Sequence, residues 1–254
     1  MRFKNKKILI AGAGGLLGSC TVGNLLGQGA SIIAVDIDYV KMKEHLQNRD
    51  IDVNDAQISL MQLDINNEAE VVDFFERAEA LDGAVNCTYP RNKNYGAHFF
   101  NVRLNDFNEN LSLHLGSAFL FTQQCAAYFV KNKTPFSLVN ISSIYGVVAP
   151  KFAVYANTSM TLPVEYAAIK SAIIHINKYI VNYVGNSNFR VNSVSPGGIF
   201  DHQPEAFLKA YKQHTLGKGM LEEKDVFGAI SFLLSENSRY INGQNLIVDD
   251  GFSL

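Results

Sequence analysis

Short apolar runs alternate with longer amphipathic stretches along the chain. The apolar runs are rich in β-branched residues and are bounded by turn residues: KKILIAG, ASIIAVD, ISLMQLD, DGAVNC, FSLVNISS, FRVNSVSP and NLIVDDG. Runs of this kind are typical of strands buried on both faces of a parallel sheet. The stretches between them predict helices at 16–28, 68–80, 110–130, 164–184 and 222–234. The pattern predicts an α/β fold, a doubly wound parallel sheet of about seven strands with helices on both faces.

Length and regularity favour a single domain. The 254 residues, 47% of them hydrophobic, suffice for one large core, and no repeat or linker divides the chain. We therefore expect one domain over 1–254. Two stretches are less regular, residues 145–163 and 197–219, and long irregular segments in compact domains are commonly functional. We predict an enlarged loop over the site in the first and a substrate lid in the second.

Charge and composition narrow the function classes. The net charge is −2 and the basic residues are scattered, which argues against nucleic acid as a partner. No signal sequence and no apolar run of about 18 residues is present, so we expect a cytoplasmic protein without a membrane partner. Cys20, Cys87 and Cys125 lie far apart in the sequence, and we expect them to be reduced thiols. The six histidines lack paired spacing, so no metal site is predicted.

A glycine cluster, AGAGGLLG, follows the first predicted strand and opens a helix. Such glycines allow a tight turn, close approach of a pyrophosphate to backbone N–H groups, and close helix–strand packing; here they are Gly12, Gly14, Gly15 and Gly18. Asp36 ends the second strand, where it would accept hydrogen bonds from the adenosine ribose and repel a 2′-phosphate. Asp64 ends the third strand, near the expected adenine. The pattern predicts a Rossmann-type NAD site, with a helix N-cap as the alternative role for Asp36.

The segment LPVEYAAIKSA places Tyr166 and Lys170 on one helix face, because residues four apart lie one above the other. Tyrosine, with a pKa of about 10, is a poor base at neutral pH, but a neighbouring ammonium and a positive nicotinamide ring favour its phenolate. VNISS supplies a serine at the C-terminal end of a strand, where such sheets bind ligands. Of Ser142 and Ser143, which alternate in direction, we assign Ser143 to orient the substrate oxygen. The alternative is that Tyr166 and Lys170 form an ordinary surface pair.

Together these motifs resemble the short-chain dehydrogenase/reductase family over nearly the whole chain. The matching pieces are AGAGGLLG, Asp36, LDI at 63–65, VNCT at 85–88, NISS at 140–143, YAAIK at 166–170, RVNSVSPGGI at 190–199 and INGQNLIVDDG at 241–251. The resemblance implies that Ser143, Tyr166 and Lys170 form the catalytic set, with Lys170 also holding the nicotinamide ribose. It adds further residues to the cofactor site: Leu17, Ile65, Asn86, Pro196, Gly197 and Ile199.

The chain departs from the family pattern in two respects. The glycine spacing G-x-x-G-x-x-G and the 23-residue gap from Ser143 to Tyr166 resemble the extended branch, whose members mostly handle nucleotide sugars. The compact-type ending leaves no room for that branch's substrate domain, so we interpret the chain as a compact member with an enlarged loop. The family's catalytic asparagine aligns with His114 in LHLGSAFLFTQ, and Asn110, one turn earlier, is the alternative.

The substrate is inferred from loops and from resemblance. Arg91, Tyr145 and His202 are candidate substrate contacts, although a solvated loop charge is the simpler alternative for Arg91. SSIYG and VEYAAIKSAI are similar to compact dehydrogenases of bacterial flagellin-modification and nonulosonic-acid sugar pathways. This implies an NAD-dependent oxidoreductase interconverting a hydroxyl and a carbonyl on a sugar, an amino-sugar phosphate or a nucleotide sugar. The alternatives are a ketone or 3-oxoacyl reductase, a sugar epimerase or dehydratase, and a non-catalytic nucleotide-binding protein.

The family resemblance also implies a homo-oligomer. The helices predicted at 110–130 and 164–184 would pair between subunits to give a homodimer or a homotetramer.

Overall fold

The computed structural model describes residues 2–254, and within them seven parallel strands form one sheet in the order β3-β2-β1-β4-β5-β6-β7. The strands are β1 Lys7–Ala11, β2 Ser31–Asp36, β3 Ile58–Gln62, β4 Gly83–Asn86, β5 Phe136–Ile141, β6 Phe189–Pro196 and β7 Asn245–Val248. The strand order reverses between β1 and β4. Open α/β sheets bind ligands in the crevice at the carboxyl ends of the strands on either side of such a switch point.

Eight α-helices lie within the same described residues and cover both faces of the sheet. They are α1 Leu16–Gly27, α2 Tyr39–Gln47, α3 Glu68–Arg77, α4 Leu104–Asn110, α5 Ser117–Asn132, α6 Val164–Val184, α7 Glu205–Lys212 and α8 Glu223–Leu234. One apolar core lies between the sheet and helices α1, α2 and α8, and a second lies between the sheet and α3, α5 and α6. All eight residues of β6 are buried, as expected of a strand covered on both faces, whereas the edge strands β3 and β7 are mostly partly buried or exposed. None of these helices is long and apolar enough to cross a membrane.

Two helices differ from the sequence prediction. The helix predicted at 110–130 starts earlier, at Leu104, and a π-helical turn over Leu111–Gly116 separates α4 from α5. Helix α2 was not predicted, because its sequence YVKMKEHLQ is short and mostly polar and buries only Met42 and Leu46. The π-helical turn lies beside the site described below, in keeping with the tendency of such turns to occur at functional positions.

The two irregular segments hold short helical turns. Residues 145–163 contain a 3₁₀ turn over Phe152–Tyr155, and residues 197–219 contain α7. Both segments contribute to one aromatic cluster with the chain end, in which the Tyr211 ring stacks on the Phe252 ring at a centroid distance of 4.3 Å.

Candidate active site

The glycine turn joins β1 to α1 at the carboxyl edge of the sheet. Gly12 has φ of 75°, a region that favours glycine, and an added Cβ would lie 2.9 Å from the Cys87 backbone carbonyl carbon. A Cβ added at Gly14 would lie 2.9 Å from Met42 Cα. A Cβ added at Gly18 would lie 2.0 Å from the Gly12 carbonyl oxygen. These glycines let α1, α2 and the loop after β4 approach the turn, and no side chain at these positions blocks a ligand from the N-terminus of α1.

A groove of about 500 Å³ runs past this turn along the ends of β1 to β4, and it includes Gly12, Gly14, Gly15, Asp36, Asp64 and Ile65. The Asp36 carboxylate accepts hydrogen bonds from the Gly14 N–H at 2.9 Å and the Asp38 N–H at 3.2 Å. Each carboxylate oxygen retains a lone pair for a further donor. The N-cap of α2 is Asp38, whose side chain accepts from the Lys41 N–H at 3.0 Å. The alternative N-cap role for Asp36 is therefore wrong, and its carboxylate faces the groove.

Asn86 shapes the loop after β4 and is not among the groove-lining residues. Its side chain is buried, and its Oδ1 accepts from the Thr88 hydroxyl at 2.6 Å and the Thr88 N–H at 3.2 Å. Cys87, which lies between Asn86 and Thr88 in the sequence, lines the groove. Burial raises the pKa of Cys87 to about 12, so this thiol is protonated at neutral pH.

The two serines after β5 have different partners. The Ser142 hydroxyl donates to the Lys170 backbone carbonyl at 2.8 Å, whereas the Ser143 Oγ accepts from the Tyr145 N–H at 3.2 Å and lines a cavity beside Tyr166. An added Cβ at Gly146 would lie 2.7 Å from the Lys170 carbonyl carbon. This glycine therefore lets the turn after β5 pack directly on α6, which brings the serine to the helix.

Tyr166 and Lys170 share one face of α6, with the Lys170 Nζ 5.5 Å from the Tyr166 ring centroid. Burial raises the pKa of Tyr166, and the Ser143 side chain acts in the opposite direction. Burial also lowers the pKa of Lys170 to about 7, and its Nζ donates to the Ile141 carbonyl at 2.8 Å. The expected lowering of the Tyr166 pKa is therefore not met by the protein alone, because burial raises this pKa and only the Ser143 side chain opposes it.

His114 contacts Lys170 from the π-helical turn. Its Nε2 lies 3.4 Å from the Lys170 Nζ, and its side chain is buried. Burial, followed by the charge of Lys170, lowers the pKa of His114 to about 2, so the imidazole is neutral. Asn110, the alternative, contacts Asn92 and Glu165 instead. The structure thus brings His114, and not Asn110, to Lys170.

A second cavity, of about 470 Å³, adjoins the groove across Cys87, Thr88 and Tyr89. Its lining includes Leu17, Pro196, Gly197 and Ile199, and Lys170 is the one charged side chain among the described residues that line it. The rest of the wall is mostly aromatic or apolar, with Tyr89, Tyr95, Tyr145, Tyr155, Met160, Leu162, Phe207, Tyr211 and Met220. The loop after β4, the enlarged loop and α7 therefore surround one pocket.

Of the three candidate substrate contacts, the structure brings one into this pocket. Tyr145 lines it and accepts a hydrogen bond from the Tyr155 hydroxyl at 3.2 Å. Arg91 is exposed, stacks over the Tyr89 ring at 5.0 Å and lines the cofactor groove. His202 is exposed beside Phe200 and lies outside the lining of either cavity.

Sequence reasoning missed the aromatic wall made by Tyr89 and Tyr95. The Tyr89 ring packs edge-on against Tyr166 at 5.6 Å and against His114 at 5.2 Å between ring centroids, and its hydroxyl hydrogen-bonds to that of Tyr95. The signal was present, because a loop that follows β4 must emerge at the carboxyl edge. The two aromatic residues of YPRNKNYG, Tyr89 and Tyr95, were therefore candidates for the pocket wall, whereas the sequence analysis selected Arg91.

Known proteins resemble this chain over its full length. Residues 12–253 match the family model described as Enoyl-(Acyl carrier protein) reductase. Post-translational flagellin modification protein A of Campylobacter coli is 35% identical over 99% of each chain. The 7alpha-hydroxysteroid dehydrogenase of Bacteroides fragilis is 28% identical over 100% of this chain and 96% of its own.

A solved structure agrees in fold. A short chain dehydrogenase from Leptospira borgpetersenii, crystallised with bound NAD⁺, superposes with a TM-score of 0.87 at 30% identity, covering 100% of this chain and 94% of that one. The chain belongs to the short-chain dehydrogenase/reductase family, and it is an oxidoreductase of the kind that acts on CH–OH groups.

Proposed function

We propose that the protein is a cytoplasmic NAD-dependent oxidoreductase that interconverts a hydroxyl and a carbonyl on a sugar, an amino-sugar phosphate or a nucleotide sugar, in bacterial flagellin or surface-glycan modification. The observation that carries the proposal is the position of Ser143, Tyr166 and Lys170 together on the wall of a cavity that adjoins a dinucleotide-type groove. The sugar context is supported by the 35% identity to a flagellin modification protein.

The groove fits NAD. The first turn of α1, which has no side-chain cap, offers N–H groups to a pyrophosphate. Asp36 has lone pairs for the ribose hydroxyls, and its charge disfavours a 2′-phosphate. Asp64 and Ile65 would flank the adenine, and the nicotinamide half would lie beside Leu17, Lys170, Pro196, Gly197 and Ile199. When bound, NAD supplies the hydride acceptor. The relative from Leptospira borgpetersenii, which holds NAD⁺, supports this choice.

In the proposed mechanism, Ser143 donates a hydrogen bond to the substrate oxygen. Tyr166 takes the hydroxyl proton as the hydride leaves the same carbon, so the alcohol becomes a carbonyl, and it returns the proton in the reductive direction. Positive charge at Lys170, together with that of the oxidised cofactor when it is bound, would offset the desolvation that raises the Tyr166 pKa. His114, neutral and within 3.4 Å, accepts a hydrogen bond from the Lys170 ammonium.

The pocket favours an uncharged reacting ring. Lys170 is the one charged side chain among its described lining residues, so a phosphate or carboxylate inside it would lack a second cationic partner. The hydroxyls of Tyr95, Tyr145 and Tyr155 offer uncharged hydrogen-bond partners for ring hydroxyls. A phosphate or nucleotide would extend past the pocket, and the exposed guanidinium of Arg91 beside Tyr89 remains the candidate to meet it.

We also propose a homodimer or homotetramer that associates through α5 and α6. Exposed aromatic residues on these helices support it: Phe119 on α5, and the stacked rings of Tyr179 and Tyr183 on α6. Light scattering of the purified protein should give a dimer or tetramer mass, and a monomer at micromolar concentration would contradict this assembly.

The function is tested by NADH absorbance with a panel of hexoses, N-acetylhexosamines, their phosphates and nucleotide sugars. We expect NADH to form with one sugar class and not with an acyl alcohol such as a 3-hydroxybutyryl thioester. Turnover confined to the thioester would instead establish the 3-oxoacyl reductase alternative. A changed sugar without net NADH release would indicate an epimerase or dehydratase.

A further inference from the structure

A buried carboxylate stands directly before the proposed base. Glu165 lies in the first turn of α6 and is 1% exposed, yet it lines neither the substrate pocket nor the cofactor groove. Its Oε1 accepts a hydrogen bond from the Asn110 side-chain amide at 3.3 Å, and its Oε2 is buried without a protein partner. The positive end of the helix dipole favours a carboxylate here, but burying it remains costly. Its position therefore calls for a role besides packing.

Asn110 connects that carboxylate to the loop after β4. The Asn92 N–H donates to the Asn110 Oδ1 at 2.9 Å, and the Asn110 amide donates back to the Asn92 Oδ1 at 3.2 Å. The Asn94 N–H also donates to the Asn92 Oδ1, at 3.0 Å. Helix α6, the end of α4 and the loop are thus joined by a continuous hydrogen-bonded chain through Glu165, Asn110 and Asn92. We refer to these three residues as the loop latch.

The segment held by the loop latch, residues 89–96, carries the aromatic wall of the substrate pocket. Tyr89 and Tyr95, which lie near the two ends of this segment, both line the pocket, and the Tyr89 ring packs against Tyr166. Between them Arg91, Lys93 and Asn94 are exposed, so little apolar burial fixes this part of the loop. Hydrogen bonds to α4 must therefore supply most of its order: Asn92 bonds to Asn110, Asp106 and Glu109, and Asn94 bonds to Asp106. Of these partners, Asn110 is the one that Glu165 holds from α6.

We propose that Glu165 is a positioning residue that holds the tyrosine wall against the catalytic helix through the loop latch. Removing its acceptor frees the Asn110 amide, loosens residues 92–94 and displaces Tyr89 and Tyr95 from the pocket. The required property is an acceptor at the Oε1 position, which glutamine retains. The identification of this pocket as the substrate site rests on the proposed function, whereas the loop latch itself does not.

The first test needs no substrate. Hydrogen–deuterium exchange of the peptide spanning 89–96 is compared in the wild type, Glu165→Leu, Glu165→Gln and Asp73→Asn. The last is a remote control that breaks an exposed pair with Arg77 on α3. We expect exchange in Glu165→Leu to be about five- to tenfold faster, the factor associated with one lost hydrogen bond, while the other variants match the wild type. Glu165→Ala serves if Glu165→Leu does not fold. Asn92→Ala, which also removes the bonds from Asn92 to Asp106 and Glu109, should accelerate exchange more and shows that the peptide reports loosening of the loop.

The proposal is overturned if the folded Glu165→Leu or Glu165→Ala variant exchanges this peptide at the wild-type rate, even where Asn92→Ala accelerates it, or if Glu165→Gln loosens the loop as much as leucine does. With a sugar that gives NADH, Glu165→Leu should raise KM at least about fivefold and change kcat less, with Gln restoring KM. A merely structural role would lower thermal stability and leave KM unchanged. If no sugar gives NADH, the proposed function is contradicted, but the exchange result still tests the role of Glu165.

Discussion

Lys170 should destabilise the protein in the absence of cofactor, and Lys170→Met should stabilise it below neutral pH. Burial lowers the pKa of Lys170 from its ordinary 10.5 to about 7. The unfolded chain therefore binds more protons than the folded protein between about pH 7 and 10.5, so stability rises with pH across this window. Below pH 7 the lysine is charged in both states, and the folded protein bears the whole cost of desolvation.

The size of the effect follows from the same values. A pKa lowered from 10.5 to about 7 corresponds to about 5 kcal/mol at most. Methionine removes this cost but also the hydrogen bonds from Nζ to the Ile141 carbonyl and to His114 Nε2, a loss of about 3 kcal/mol for the two buried acceptors left unpaired. The net gain near pH 6 is about 2 kcal/mol, or a Tm higher by roughly 4–8 °C. Near pH 9.5 most of the desolvation cost is already absent, and the gain should vanish or reverse.

The assay is thermal unfolding of the wild type and Lys170→Met, without NAD, at intervals from pH 6 to 9.5. Lys4→Met, which changes an exposed lysine, is the control and should shift Tm little at any pH. The reasoning fails if the difference in Tm between Lys170→Met and the wild type is independent of pH, or if Lys170→Met is the less stable protein at pH 6.

Further predictions concern the glycine turn and the serines. Gly14→Ala places a Cβ 2.9 Å from Met42 Cα and should lower the free energy of unfolding by about 1–3 kcal/mol and weaken NAD binding, as chemical denaturation and cofactor titration would show. Asp36→Ala should raise the Kd for NAD and reduce the preference of the protein for NAD over NADP, as measured by calorimetric titration. Ser143→Ala should lower kcat by about 10²–10³-fold with Tm unchanged. Ser142→Ala, which loses the bond to the Lys170 carbonyl, should instead cost about 1 kcal/mol of stability with a smaller effect on kcat.

Local chemistry made much of the site predictable from the sequence. The strands could be identified because burial on both faces requires continuous apolar runs, and β6 is buried throughout. Gly12 could be identified because its turn needs a positive φ, and Tyr166 and Lys170 because residues four apart share a helix face. Each of these signals lies within a few neighbouring residues.

The remaining features depend on contacts between distant segments. Nothing in LSLHLG alone specifies the π-helical turn that carries His114 to Lys170. Glu165 reads in sequence as an ordinary charged residue of a first helical turn, and its burial follows from the packing of α4 and the loop after β4 against α6. The hydrogen-bond partners of the two serines also could not be predicted from sequence spacing. Ser142 bonds to Lys170, 28 positions away, whereas Ser143 bonds to Tyr145, two positions away.

Turnover by Tyr166→Phe tests the central claim most directly. The substitution removes one hydroxyl and keeps the ring that packs against Tyr89, so NAD binding and Tm should change little. With the sugar that gives the strongest NADH signal, we expect kcat to fall by at least about 10²-fold, the contribution of a positioned acid/base group. Turnover within a few-fold of the wild type would contradict the assignment of Tyr166 as the base.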